Sequence, residues 1–284
     1  MRAKVAFKGA PLTLVGRVLR IGSIAPDFVV TAQDLTEKHL VDFKDKVKIL
    51  TSFPSIDTPV CDLQIKEFNK KAASLSGNIL IIGISKDLPF AQKRFCESFD
   101  IKNVLLFSDY KTSSFGVNYG LLIKELNLLA RSVIILDKND VIRYIQIVPE
   151  LTVQPDYKDA LSQLEQIIKN PSSAGAKTVS DHCLPCKMGT PLLSKDKITG
   201  LLAEISGWEF IDGKKIVKEL KFQDFAQAKY FLDILSIIAE EQGHHPSFNL
   251  AYGKLKITLT THAASGLTEN DFIMAGIIDS LGIK

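Results

Sequence analysis

No apolar run in this 284-residue chain approaches the length of about 18 residues that a helix needs to cross a bilayer. A membrane span is therefore not expected. A charge excess is also missing. The 35 Lys and Arg against 32 Asp and Glu leave a net charge of only +3, and no basic block is interleaved with aromatics. This argues against nucleic acid or an anionic membrane as a partner. Between Met1 and Ser23 the residues Pro11, Gly16, Arg17 and Arg20 interrupt any stretch long enough for a signal sequence. That segment reads as a hairpin entering the fold, and the chain as cytoplasmic. Cysteine is scarce, at four residues. Without an export signal, so few cysteines point to redox or metal chemistry rather than a disulfide framework.

What is present is an ordinary globular composition, 46% hydrophobic and 24% charged, in a chain long enough for two domains. The small, polar segment Asn170-Pro171-Ser172-Ser173-Ala174-Gly175 is the one clear linker. It divides the sequence into residues 1–169, a connecting stretch 170–191, and residues 192–284.

The first part is organised around Phe53-Pro54-Ser55-Ile56-Asp57-Thr58-Pro59-Val60-Cys61. This stretch follows an apolar run, Val47 to Phe53, bounded as a buried strand is, and it opens a helix. Cys61 falls on the same helical stripe as Ile65, Phe68, Ala72 and Leu75, so its sulfur is expected to face inward from the first turn. Unpaired N–H groups and the helix dipole favour an anion there, and the thiolate is the nucleophilic form of cysteine. Thr58 is placed to bring a hydroxyl near the sulfur, while Pro54 and Pro59 stiffen the loop. A buried structural cysteine is the competing reading.

Downstream, Asn78 to Ser85 and Val104 to Asp109 read as buried strands. Between them lies a helix with Asp87 as cap, Pro89 in its first turn, a buried side drawn from Phe90, Ala91, Phe95 and Phe99, and Cys96 near its end. Ser113 to Gly120 reads as a helix or turn, Arg131 to Val148 as a hairpin, and Asp156 to Ile168 as a closing helix. Strands alternating with helices fit an α/β thioredoxin-like sandwich.

Pro54, Thr58 and Cys61 together spell PxxxTxxC, and this part of the chain resembles the thiol peroxidase subfamily of peroxiredoxins. The likeness runs from about Lys4 through Asp156-Tyr157 and includes DLPFAQKRFC and ARSVIILD. It implies that Cys61 attacks a peroxide oxygen and becomes a sulfenic acid, which Cys96 condenses with to form a disulfide. Thioredoxin or a similar dithiol then reduces that disulfide. It also implies that Pro54 borders the peroxide and that Arg131 stabilises the thiolate and the developing charge.

Beyond the linker the order of elements reads αββαββα, a small α+β domain with helices over an antiparallel sheet. A helix is expected over Lys195 to Ser206, a hairpin over Trp208 to Phe222 turning at Asp212-Gly213, and a long helix from Phe225 to a Gly243 cap. A second hairpin and a helix from Asn270 to Leu281 complete it. Three of the five histidines, His244, His245 and His262, fall in the second hairpin. With Gly253 and Lys254 as the turn, Tyr252 opposes Leu255 and His245 opposes His262, and directly opposed Cβ atoms lie about 4.5–5.5 Å apart. Paired imidazoles suit proton transfer, one as base and its neighbour as acid, and metal binding is the alternative.

Glu240-Glu241-Gln242-Gly243-His244-His245-Pro246, followed by Tyr252, His262, Gly266-Leu267-Thr268 and Asp271, resembles the pterin-4a-carbinolamine dehydratases from about Leu192 onward. The likeness implies loss of water from a 4a-hydroxytetrahydropterin to give a quinonoid dihydropterin, with no metal or organic cofactor. His244 and His262 are implied as acid and base, His245 holds the pterin, and Glu240 and Asp271 orient imidazoles. Ser247 departs from the family, which commonly has an acidic residue there. A second reading makes this domain a non-catalytic dimerisation or binding module. Both families form dimers or tetramers, so a homo-oligomer is expected. Cys183 and Cys186, a CxxC preceded by His182, read as a structural feature at the domain's edge, since neither four zinc ligands nor a strand-to-helix setting accompanies them.

Overall fold

The computed structural model describes residues 3–72, 78–169, 182–184 and 190–281. The chain divides into two compact units, Met1–Thr178 and Val179–Lys284. The division falls inside the expected connecting stretch. Asn170 to Gly175 and Cys186 lie outside the described residues, as does Leu75 of the Cys61 stripe. Among the described residues, no helix is long and apolar enough to cross a membrane.

The first unit begins with a hairpin of β1 (Val5–Phe7) and β2 (Ala10–Leu12), as expected, followed by a short β3 (Leu14–Val15). Next come β4 (Val29–Thr31), β5 (Glu37–His39), β6 (Val47–Ser52), α1 (Pro59–Ala72), β7 (Ile79–Ser85), α2 (Pro89–Ser98), β8 (Leu105–Ser108) and α3 (Ser114–Asn118). After the short β9 (Leu122–Ile123) and β10 (Leu128–Leu129), the hairpin of β11 (Ser132–Leu136) and β12 (Ile142–Ile147) leads to α4 (Tyr157–Lys169). Seven strands form one mixed sheet in the order β12-β11-β6-β7-β8-β4-β5, with β6, β7 and β8 parallel at its centre.

The central strands are covered on both faces, which is why they read as unbroken apolar runs. The strand period of two divides their side chains. Leu50, Ile82 and Ile134 join Phe28, Phe115 and Tyr119 on one face, whereas Ile49, Ile81, Val133 and Ile135 join Ile65, Phe68, Phe95 and Leu164 on the other. Helices α1, α2 and α4 supply that second core. Each fully buried Phe or Ile there contributes about 1.5–3 kcal/mol, and this holds α1 against the sheet.

Helix α2 departs from the expectation in two respects. Its buried side is Pro89, Gln92 and Phe95, while Phe90 is 63% exposed and Phe99 also faces water. The reason is Gln92, whose buried amide donates to Ser85 Oγ (3.0 Å) and to the Phe107 carbonyl (2.8 Å) and so fixes the helix's rotation. The N-cap is Leu88 rather than Asp87, because the Asp87 carboxylate is engaged by the loop before α1.

In the second unit, α5 (Lys195–Leu202), β13 (Glu209–Ile211), β14 (Lys215–Lys221), α6 (Phe225–Gln242), β15 (Ser247–Ala251), β16 (Lys254–Leu259) and α7 (Glu269–Ser280) follow in the expected order. The four strands form an antiparallel sheet, β13-β14-β16-β15. Leu255, Ile257 and Leu259 of β16 are fully buried, and both α6 and α7 lie against that strand. Ser194 caps α5 by accepting from Lys197 N, and the helix ends at Leu202, one turn earlier than expected. Gly243 closes α6 at φ +59°, as a left-handed C-cap.

The register of the second hairpin is corrected by two residues. Ala251 pairs with Lys254 and Ser247 with Thr258, so Tyr252-Gly253 form the turn, with Gly253 at φ +66°. A slip of two preserves which residues face the core, but it shortens the ladder. His245 therefore does not sit opposite His262 in the sheet. His244 and His245 precede β15, and His262 opens a 3-10 turn, His262–Ala264, beyond β16.

Candidate active sites

The first site lies where β6 gives way to α1. The Thr58 carbonyl accepts from Cys61 N (3.1 Å) and Asp62 N (3.0 Å), which starts the helix and sets Cys61 in its first turn. The sulfur is fully buried, as its place on the stripe requires. Arg131 Nη2 donates to it at 3.4 Å. Only 1% of Arg131 is exposed, and among the described residues its hydrogen-bond partners include no carboxylate. Its partners are the Leu151 carbonyl, reached by Nη2 at 2.8 Å and Nε at 3.3 Å, and Gln64 Oε1, reached by Nη1. A buried cation without a counter-charge is costly. An anionic sulfur, or the oxyanion leaving a peroxide, supplies that counter-charge.

The surroundings hold this pair in place. Gln64 Nε2 donates to Thr51 Oγ1 (2.6 Å) and the Ser52 carbonyl (3.3 Å), locking the amide that orients the guanidinium. Gln154 Nε2 donates to the Val60 carbonyl (2.6 Å), and Tyr157, whose phenol is pushed up chiefly by burial, donates to Gln154 Oε1. The Asp87 carboxylate accepts from Ser55 Oγ (2.6 Å), Ile56 N (2.8 Å) and Ser85 Oγ (2.6 Å), tying the loop containing buried Pro54 to β7. Glu150 accepts from Lys8 N and Gly9 N, each at 3.0 Å, which fastens the β1–β2 turn beside Leu151. Together with Thr152 N at 3.1 Å, these backbone N–H groups, that of Gly9 first, hold its carboxyl down at about 2.

Thr58 is engaged within its own loop. Its hydroxyl donates to the Ser55 carbonyl at 3.1 Å, at the turn that leads into α1. Cys96, half-buried on α2, packs against the same core that contains Cys61. Gln33 Nε2 donates to its sulfur at 3.3 Å, and burial pushes its thiol up while that hydrogen bond pulls the other way. No disulfide joins Cys61 and Cys96.

The second site is built around Asp271, which is fully buried in the first turn of α7. Its Oδ1 lies 2.8 Å from His244 Nε2, and its Oδ2 accepts from Thr268 N (2.8 Å) and Thr261 Oγ1 (2.8 Å). Because a carboxylate only accepts, His244 donates to it from Nε2. One carboxylate thus binds His244 at the end of α6 to Thr261, the neighbour of His262. His245 Nε2 lies 3.2 Å from Glu240 Oε1 in an exposed pair, and His262 is exposed. Among the described residues no cluster of three or more His, Cys, Asp or Glu is arranged to hold a metal.

Several of these groups are absent from the sequence reading. Gln64, one turn after Cys61 on the same helix face, left a readable spacing. Gln154, the Leu151 carbonyl, Gln33 and Thr261 left none, because each reaches its partner across the fold.

Residues 20–161 match the Redoxin family, and residues 191–281 match the family described as pterin 4 alpha carbinolamine dehydratase. The thiol peroxidase of Oceanobacillus iheyensis is 46% identical over 164 residues, which is 58% of this chain and 99% of the relative. That of Bacillus subtilis is 46% identical over 167 residues, or 59% of this chain and 99% of the relative. A crystal structure of a peroxiredoxin-like protein from Aquifex aeolicus is 42% identical, with a TM-score of 0.55, and is matched over 98% of its length by 59% of this chain. With the buried Cys61–Arg131 pair in one unit and the His244–Asp271 pair in the other, the chain belongs to the thiol peroxidases of the Redoxin family and carries a pterin carbinolamine dehydratase domain behind that peroxidase.

Proposed function

We propose that the chain is a bifunctional enzyme that reduces peroxides at Cys61 and dehydrates a 4a-hydroxytetrahydropterin at the histidine site. The approach of Arg131 to the buried Cys61 sulfur carries the first half. The thiolate attacks one peroxide oxygen, the O–O bond breaks, and the departing alkoxide or hydroxide takes a proton. Cys61 is left as a sulfenic acid, and Arg131 offsets the charge on the departing oxygen. The Cys96 thiolate then displaces hydroxide from that sulfur, giving water and a disulfide. A dithiol, with thioredoxin as the natural candidate, restores both thiols and is itself oxidised to a disulfide. Hydrogen peroxide and organic hydroperoxides are the substrates, and a homo-oligomer in the cytoplasm is part of the same reading.

In the second site, elimination of water requires a proton to leave the pterin ring and another to reach the departing 4a-hydroxyl. The His244–Asp271 pair supports His244 as one of the two transfer groups, with His262 as the other. The contact between His245 and Glu240 supports His245 as the residue that holds the pterin, with Glu240 orienting its imidazole. The test is direct. Cys61→Ser should abolish thioredoxin-coupled peroxide turnover, and His262→Ala should lower the rate of carbinolamine dehydration by at least tenfold. If most of either activity survives, the corresponding half of the assignment is wrong, and a folded second unit without dehydration would make it a binding module.

A further inference from the structure

The match to the dehydratase family begins at residue 191, yet the second unit includes a piece of chain upstream of that point. Residues 182–184 lie across the ends of the two helices that carry the His244–Asp271 pair. Cys183 N donates to Gln242 Oε1 at 2.7 Å, from the last residue of α6, two before His244. Leu184 N donates to Asn270 Oδ1 at 2.9 Å, and Asn270 Nδ2 donates back to the Leu184 carbonyl at 2.6 Å. The Asn270 side chain thus pairs with a peptide unit as a strand neighbour does, and Asn270 immediately precedes Asp271. The Cys183 sulfur, 2% exposed, adds a contact of 3.6 Å to the Asn270 carbonyl. Gln242 and Asn270 are themselves nearly fully buried. Hydrogen-bond partners for two buried amides thus come from outside the matched domain, and a buried hydrogen bond is costly to lose.

We infer that His182–Leu184 is a strap that sets the His244–Asp271 geometry, with Asn270 and Gln242 as positioning residues for the second site. The inference rests on the dehydratase reading for its activity readout, but the geometry it concerns exists without substrate. One end of the strap fixes the exit of α6, from which His244 projects. The other end fixes the first turn of α7, which holds Asp271. A displacement of about 1 Å between catalytic groups can cost on the order of 100-fold in rate, so the strap controls turnover without touching the pterin.

The experiment uses the full chain with three substitutions. Asn270→Ala removes both amide contacts, Leu184→Pro removes one N–H donor at a residue whose side chain is 64% exposed, and Cys183→Ser keeps every backbone contact. Two quantities are read: steady-state dehydration, and the His244 Nε2–H proton by NMR in the absence of substrate. Peroxide turnover in the same samples reports that the first unit is intact. We expect Asn270→Ala and Leu184→Pro to lower kcat by tenfold or more with KM changed less than threefold, and to lose the protected imidazole proton. Cys183→Ser should stay within twofold of the parent. The strap is refuted if both disrupting variants keep the parent kcat, or if kcat falls while the His244 proton keeps its shift and protection. If Asn270→Ala unfolds the second unit, Leu184→Pro decides alone. Should the parent chain dehydrate no pterin, the dehydratase reading fails, and the NMR signal still accepts or rejects the strap.

Discussion

At the scale of single residues, the first site depends on a cation that is fixed rather than merely nearby. Arg131 uses its planar fork to hold the Leu151 carbonyl, Gln64 and the Cys61 sulfur at once, which a lysine's single ammonium cannot do. Arg131→Lys is therefore expected to lower the second-order rate of Cys61 with peroxide by about 100-fold, in the range of losing one oxyanion donor, as read by stopped-flow fluorescence. A loss under threefold would show that charge alone suffices. Gln33 plays a smaller part at the other cysteine. Its amide hydrogen bond favours the Cys96 thiolate against the effect of burial, so Gln33→Leu should raise the pH at which Cys96 becomes alkylated in a Cys61→Ser background. In the otherwise native chain it should slow disulfide formation and let excess peroxide carry more Cys61 past the sulfenic state, visible by mass spectrometry. Initial oxidation of Cys61 should not change.

Among the secondary-structure elements, the short α3 is held by a buried acid. Asp109 accepts from Phe115 N (3.0 Å) and Gly116 N (2.9 Å) at the start of that helix. Burial outweighs those N–H groups and the nearby Lys86, and pushes its carboxyl up to about 7. The folded state therefore binds a proton that the unfolded chain, with an ordinary aspartate, releases near pH 4. Linkage makes this contribution fully present below the unfolded value and lost as pH rises from there through about 7. Thermal midpoints of the first unit should accordingly fall between pH 6 and pH 8, and Asp109→Asn should flatten that slope. An equal slope in parent and variant would place the titrating group elsewhere. Disulfide formation is also a matter of elements, because Cys61 sits on α1 and Cys96 on α2. The two Cα atoms must come within about 4.4–6.8 Å, and the Gln33 contact must break. After one equivalent of peroxide, peptide mapping should find Cys61 joined to Cys96, with faster amide exchange over residues 89–98. A Cys61 link to Cys183 or Cys186 would assign resolution elsewhere.

For the whole molecule, the two activities occupy separate compact units, and every group described at either site belongs to its own unit. Independent function is expected. Cys61→Ser should leave dehydration unchanged, and His262→Ala should leave peroxide turnover unchanged, each measured in protein of unaltered oligomeric state. A cross-effect beyond a few-fold would mean that the sites are coupled. The strap adds a condition to any division of the chain. A cut near residue 173 retains residues 182–184, whereas one at residue 190 removes the backbone groups that Gln242 and Asn270 bond there.

The sequence by itself determined whatever local pattern controls. The inward thiol followed from helical spacing, the two-faced central strands from their unbroken apolar runs, the αββαββα order from turns and caps, and both chemistries from compact motifs. Tertiary structure decided what depends on partners distant in sequence. Asp87 was drawn from capping α2 to bracing the Pro54 loop, because Ser55 and Ile56 reach its carboxylate first. Phe90 turned outward once Gln92 had found Ser85 and Phe107 across the sheet. The histidine hairpin slipped by two residues because Gly253 occupies the second turn position, and alternation alone cannot distinguish registers that differ by two. Asp271, which the likeness implies only as orienting an imidazole, became the centre of the second site because a carboxylate has several acceptor positions. Only the packed fold brings His244, Thr261 and Thr268 around it.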